Sequence, residues 1–355
     1  MFDTREATQV LEAHIAKGQT SALNVIKYAK DHAPVDAIIK GTDVQVVPSD
    51  AGLVTRGGKR LHKNALQQIA ARASIPAAYL ADLAAGRDEK GKPAPWKMDL
   101  ASRIIAGHYS HTEASNRFLI RAVDGEIKGF LSDRYRRLDS RPLIDAFAAE
   151  CETHKAVPVA GHVGDVRIAL KAIIPQVFAL VITLGVEWGN SDFGAARHTV
   201  RPFILRVACL NGATATNALA ETHLGRQLSD DIEFSNATYE LDTKTSVSAM
   251  RDVLRNILKP VNVQRAIASL EMASGQSVEW NALSRSLAKR LLKGELAEAK
   301  AAFEGNDTHN LPEGKNMWRA SNAVSWIAHS ATTEERRLEL QRIAGELIDG
   351  KTDRD

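Results

Sequence analysis

Residues 189–198, GNSDFGAARH, bring an amide, a hydroxyl, a carboxylate and an imidazole together as Asn190, Ser191, Asp192 and His198. A nucleophile with acid–base partners is built from such groups, and loops between strands often carry them. The segment lacks the Gly-x-Ser-x-Gly pattern of a nucleophile elbow, and Asn, Ser, Asp and Gly are equally the residues of ordinary turns. His108 and His111 stand three apart, which on a helix would let both reach a metal with Glu113 nearby, but no zincin signature surrounds them. Gly86, Gly91 and Lys92 have phosphate-loop spacing, yet Pro93 stands where Ser or Thr would hold magnesium. The expectation is therefore no metal and no cofactor, with a metal-independent enzyme at the 189–198 loop kept as an alternative.

Cations offer a different chemistry. Between residues 117 and 141, seven bases (Arg117, Arg121, Lys128, Arg134, Arg136, Arg137, Arg141) outnumber four acids, whereas residues 221–244 carry six acids and two bases. Tyr135, inside the RYRR run, is the best-placed aromatic for stacking on a base. Arg285, Lys289 and Lys293 recur every four residues, a row that usually marks a solvated helix face.

The elements that must position these groups can be read from the pattern. FLIRAV, Asp124-Gly125 and EIKGFL spell a hairpin with a two-residue turn. Counting from that turn places Phe118, Ile120, Ala122, Ile127 and Leu131 on one face and Arg121, Val123, Glu126 and Lys128 on the other. In this register Arg121 lies opposite Lys128, an unfavourable pair unless something anionic joins them. A helix over about 141–154 follows. A half-buried strand comes next, with Arg167 and Lys171 on its wet side and Val166, Ile168 and Leu170 inward. Residues 178–186 and 200–210 read as further strands, the second carrying Arg201. Helical signals dominate from Ala218 onward, and Thr332 and Glu335 have capping-box spacing. If the hairpin and the 165–171 strand share one sheet, then Arg121, Lys128, Arg167 and Lys171 converge on its outer face.

The predicted fold class is α+β: an antiparallel or mixed sheet with one basic face, packed by helices and followed by a helical C-terminal region. Three regions are expected: an N-terminal α/β region at 1–112, a central sheet-containing domain at 113–260 and a helical region at 261–355. The 355 residues include 44% hydrophobic and 25% charged residues, enough apolar material for a core and too ordered a composition for a disordered tail. Lys plus Arg at 46 against Asp plus Glu at 43 leaves +3, so segregation of charge carries the signal, not its total. Cys151 and Cys209 fit neither a disulfide framework nor a zinc site, and a reducing cytoplasm suits them best. The first residues read as an amphipathic start with acids, not as a signal peptide. The longest apolar run, residues 178–186, is about half of the ~20 residues of a membrane helix, so no membrane is expected.

The stretches GFLSDRYRRLDS, VAGHVGDVRIALKAII, WGNSDFGAARHTVRPFILRVACLNG and ETHLGRQL resemble a phage- and plasmid-borne family catalogued as domain of unknown function nine hundred and thirty-two. The resemblance covers about residues 117–228. It rests on Asn190-Ser191 with Gly194, on the Arg206, Cys209 and Asn211 spacing and on His223, with Gly212 where the family usually has Thr. It implies a mobile-element protein working inside bacteria, and it carries no settled catalytic residues. The element order is also similar, at fold level, to Rad52-like single-strand annealing proteins, which form rings on DNA.

The leading expectation is thus a non-enzymatic DNA-binding protein, acting in recombination or replication, oligomeric and preferring single-stranded DNA. Its nucleic-acid-binding residues would be Arg121, Lys128, Arg134, Tyr135, Arg136, Arg137, Arg167, Lys171 and Arg201. A third possibility is an interaction protein that meets a host factor through its acidic 221–244 region.

Overall fold

The computed structural model describes residues 4–111, 116–208, 210–214, 219–221, 235–305 and 310–350. The chain opens with a long helix, α1 (Thr4–Asp31), and enters a six-stranded sheet through β1 (Val35–Lys40). A meander follows, β2 (Val46–Ser49), β3 (Gly52–Thr55) and β4 (Arg60–Leu61). Three helices then cover one face: α2 (Lys63–Arg72), α3 (Ala77–Ala85) and α4 (Pro95–Ser110). The break between α2 and α3 falls at Pro76, as the sequence predicts, because proline disfavours helix in the residue before it. The hairpin β5 (Arg117–Val123) and β6 (Glu126–Ser132) completes the sheet in the order β1-β5-β6-β4-β3-β2. Its turn has Asp124 and Gly125 both at positive φ, 51° and 79°, the left-handed pair that a two-residue hairpin favours.

The next helix, α5 (Ser140–Thr153), leads to a second, antiparallel sheet: β7 (Val157–Val163), β8 (Ile168–Ile173), β9 (Ile182–Asn190) and β10 (His198–Arg206). Two short strands, β11 (Asn211–Thr214) and β12 (Leu219–Glu221), pair with different parts of β10. The rest is helical: α6 (Asn236–Leu258), α7 (Pro260–Gly275), α8 (Trp280–Leu287), α9 (Lys293–Glu304), α10 (Met317–Ile327) and α11 (Glu334–Ile348). The α+β class with a helical C-terminal region is therefore as predicted. The cap of α11 is Thr333, one residue later than the capping-box spacing suggests, with its side chain accepting from the Arg336 backbone.

Two expectations need correction. The hairpin and the strand that carries Lys171 lie in different sheets, so they do not share one basic face. And β1 and β4, from before residue 112, pair with β5 and β6, from after it, so one sheet spans the boundary drawn there.

Both sheets are packed by helices. In the second sheet Ile168, Leu170, Ala172, Val186, Trp188 and Val200 pack with α5 and α6, while Ile173, Phe203 and Leu205 pack with the start of α1. The helix α1 lies so close to edge strand β7 that a Cβ at Gly18 would stand 1.6 Å from the Val159 carbonyl oxygen, and one at Gly161 would stand 2.4 Å from that of Ser21. Only glycine permits that approach.

Candidate functional site

The hairpin register departs from the simple count at one residue. Val123 faces Glu126 and Ala122 faces Ile127, but Arg121 then faces Gly129, leaving Lys128 as the extra residue of a bulge. A bulge reverses the alternation beyond it. Phe118, Ile120, Ala122 and Ile127 do share the core under α2–α4, with Phe130 in place of Leu131. Leu131 turns to the opposite side, where it packs with Leu119 and Tyr135. The expected Arg121–Lys128 repulsion therefore does not exist.

What sits opposite Arg121 is acid. Its guanidinium is 1% exposed and reaches three ways: Nε donates to Asp36 Oδ1 of β1 at 2.8 Å, Nη2 to Asp139 Oδ1 at 2.6 Å and Nη1 to the Asp192 carbonyl at 2.7 Å. Burial alone would lower its pKa; Asp139 and Asp36 outweigh that and hold it well above the ordinary arginine value. Gly129 supplies the room, since a Cβ there would stand 3.3 Å from Arg121 Cβ and 3.5 Å from Phe193 Cα.

The loop after β9 fits into this clasp. Asp192 Oδ1 accepts from the Ser140 backbone at 2.8 Å, the Ser140 hydroxyl at 2.6 Å and Asn190 Nδ2 at 3.1 Å, which ties the loop to the first turn of α5. Asn190 also donates to the Leu138 carbonyl, and Ser191 Oγ donates to that of Val166 while accepting from the Phe193 and Ala195 backbones. From the first sheet, Asn64 and Gln68 of α2 both donate to the Phe193 carbonyl, at 3.1 and 2.8 Å. Burial, with help from Asp139, pushes the Asp192 carboxyl up to about 6, against the lowering effect of the Ser140 hydrogen bond.

The loop that the alternative reading takes as an enzyme site fastens the two sheets to each other. Asn190, Ser191 and His198 are all buried, and His198 stands on β10 with its ring 6.4 Å from that of Trp188. The cavity beside Asn190, Ser191 and Asp192 has a volume of about 10 Å³, space for one water and no substrate.

The other expected nucleic-acid contacts are placed as follows. Lys171, Glu187 and Arg201 stand side by side on β8, β9 and β10, with Glu187 3.2 Å from Lys171 Nζ and 3.6 Å from Arg201 Nη1. Glu187 is buried; desolvation would raise its pKa, but the two cations and Thr214 hold it below the ordinary glutamate value. Lys171 also bonds Gln341 of α11 and lies over the Phe203 ring. Arg136 pairs with Asp242 at 2.6 Å and with Ser246. Arg137 lies 3.5 Å from Asp36 and over the Tyr239 ring. Lys128 donates to the Asp165 carbonyl at 3.0 Å. Tyr135 is buried, so the expected stacking residue is a core residue. Arg134 and Arg167 are half-buried. These cations do not converge on one outer face.

Exposed cations gather elsewhere, at the β3–β4 turn. Residues 55–63, TRGGKRLHK, contain Arg56, Lys59, Arg60 and Lys63 and no acid. Residues 56–60 are all exposed, and the turn is closed by hydrogen bonds from the Thr55 backbone to the Lys59 carbonyl and from Gly58 to the Thr55 carbonyl. Gly58 takes φ +78°, which the turn requires. Arg60 pairs with Glu126 and Lys63 with Asp165; Arg56 and Lys59 make no ion pair among the described residues and face water. On the helices over the same sheet, Trp96 is 61% and Tyr79 48% exposed, the two strongly exposed aromatics among the described residues. Four cations within nine acid-free residues was the sequence signal that could have found this turn.

The remaining candidates are placed as follows, where the described residues include them. Gly86 caps α3 and Arg87 bridges Pro93, so the phosphate-loop spacing belongs to a helix–helix connection. His111 contacts the Gly107 carbonyl, and no metal-ligand cluster occurs among the described residues; Glu113 lies outside them. Arg285, Lys289 and Lys293 do not form one helical row, because α8 ends at Leu287 and Lys293 opens α9. Cys209, His223 and most of the acidic 221–244 segment lie outside the described residues, and Asp242 within it is the partner of Arg136. No helix among the described residues is long and apolar enough to cross a membrane. No family model matches the chain, and neither a curated protein nor a solved structure matches it.

Proposed function

We propose that the chain is a non-enzymatic nucleic-acid-binding protein, with single-stranded DNA as its preferred ligand, whose contact surface is the glycine turn at Arg56 and Lys59. The observation that carries this reading is the pair Arg56 and Lys59, exposed on a glycine turn and without an ion pair among the described residues, while Arg60, Lys63, Arg136 and Arg137 hold carboxylates of the chain itself. A phosphate chain is bound through cations that have no closer acid. Trp96 and Tyr79 offer ring faces over the same sheet, each stack on a base being worth roughly 1–3 kcal/mol.

Fluorescence titration of single- and double-stranded oligonucleotides at several salt concentrations tests it. Wild type is expected to bind single strands more tightly in low salt. The double variant Arg56→Glu/Lys59→Glu should lower the log–log salt slope by about 1.4, at roughly 0.7 per phosphate contact. Lys289→Glu, in the helical region, should leave binding unchanged. No binding in low salt, or equal loss from both changes, overturns the reading.

A further inference from the structure

The described sheet edges are protected differently. β7 lies under α1, brought close by Gly18 and Gly161. β2 carries Pro48, which has no N–H to offer a neighbouring strand. β10, which would otherwise end the second sheet, is paired along that side by β11 and β12. β1 has no such protection. Among the described residues it pairs only with β5, it contains no proline, and Val35 and Ile38 are 65% and 44% exposed. An open six-residue edge with apolar side chains is a template for another strand.

The residues of β1 select the partner. Asp36, Ile38 and Lys40 share the face on which Arg121 lies, since they stand opposite Arg121, Leu119 and Arg117 of β5. Laid antiparallel against itself, VDAIIK matches faces in several registers, but only the one that sets Ile38 against Ile38 places Asp36 opposite Lys40 on either side; centring on Ala37 sets Asp36 against Ile38, and centring on Ile39 leaves it beyond the strand. Opposite charges directly across a ladder are favourable, and the arrangement supplies two such pairs by symmetry. Lys40 is exposed and makes no ion pair among the described residues, while Asp36 is fixed in place by Arg121. An edge that complements its own sequence is what a two-fold contact requires.

We propose that two copies of this chain associate through β1, continuing the first sheet across a two-fold axis that passes beside Ile38. The ladder buries less than the roughly 1,200 Å² of a standard interface, so the dimer is weak and its population rises with concentration. The contact is independent of nucleic-acid binding.

Sedimentation velocity over a wide concentration range reads the association directly. Wild type should move from monomer toward dimer, and Lys40→Glu, which sets an acid against Asp36 of the opposing copy at both ends of the ladder, should weaken it about tenfold. Ile38→Cys should form an intermolecular disulfide under mild oxidation faster than wild type or Ala37→Cys, because only residue 38 meets its own copy in this register. Both positions are exposed, so circular dichroism should show an unchanged fold. A chain that stays monomeric at every concentration overturns the proposal, and so does faster cross-linking of the Ala37→Cys variant than of the Ile38→Cys variant.

Discussion

Arg121 and Arg56 belong to the same sheet, one within a strand and one in a turn, and have opposite fates. Arg121 is held between Asp36, Asp139 and the Asp192 carbonyl, in the seam where the first sheet meets the loop of the second. Arg56 projects from a glycine turn into water. The difference lies in what the chain brings to each from a distance. Asp36 and Asp139 are 85 and 18 residues from Arg121, and their arrival turns a surface cation into an internal counter-charge. A cation on a strand is therefore no evidence of an anionic ligand until the acids of the same chain have been placed.

The largest effect should come from breaking the seam. Arg121→Met removes the cation that Asp36 and Asp139 share, leaving Asp139 without it and Asp36 with only Arg137 at 3.5 Å. Removing one partner of a buried ion pair costs about 3–5 kcal/mol, and the low end applies here because Asp139 is partly open to water. Urea denaturation should show that loss at pH 7, and a change below about 1 kcal/mol would mean that the acids are solvated enough to do without Arg121.

A smaller effect, with a defined pH dependence, belongs to Asp192. Its folded pKa of about 6 lies above the ordinary carboxylate value, so the folded chain holds this proton more tightly than the unfolded one. The stability that the proton contributes is complete below about pH 4 and is lost as pH rises through 6. Asp192→Asn is neutral throughout and keeps an acceptor for Ser140. Its stability relative to wild type should thus improve by about 1–3 kcal/mol between about pH 4 and pH 7. Parallel stability curves would show that burial does not govern this carboxyl.

The local features of this fold were legible because their causes are local. Asp124-Gly125 specifies its turn, Pro76 separates two helices, and apolar spacing marks α5. The bulge at Lys128 had a signal that was passed over: Gly129, an isolated glycine inside the strand run, is the residue type that marks such a break in the ladder. Once it is missed, Leu131 and Phe130 exchange faces. Alternation does not reveal that a strand is covered twice. Lys171 reads as the wet side of β8, but α11 and the start of α1 lie over that face, and Glu187 arrives from the neighbouring strand. The 189–198 loop was visible as a cluster of polar groups, while its purpose depends on Ser140, Asn64 and Gln68, which come from two helices in other regions.

The smallest expected effect on folding sharpens the contrast most. Arg56→Glu/Lys59→Glu reverses two charges, a more drastic change in formal charge than any single substitution at Arg121. Yet the turn is shaped by its backbone hydrogen bonds and by Gly58, none of which involves either side chain. Surface substitutions away from such features usually stay within about 0.5 kcal/mol. The urea midpoint should therefore remain at the wild-type value while oligonucleotide binding weakens. If stability falls as well, Arg56 and Lys59 are neutralising acids of their own chain, as Arg121 does, and the turn ceases to be a surface reserved for phosphate.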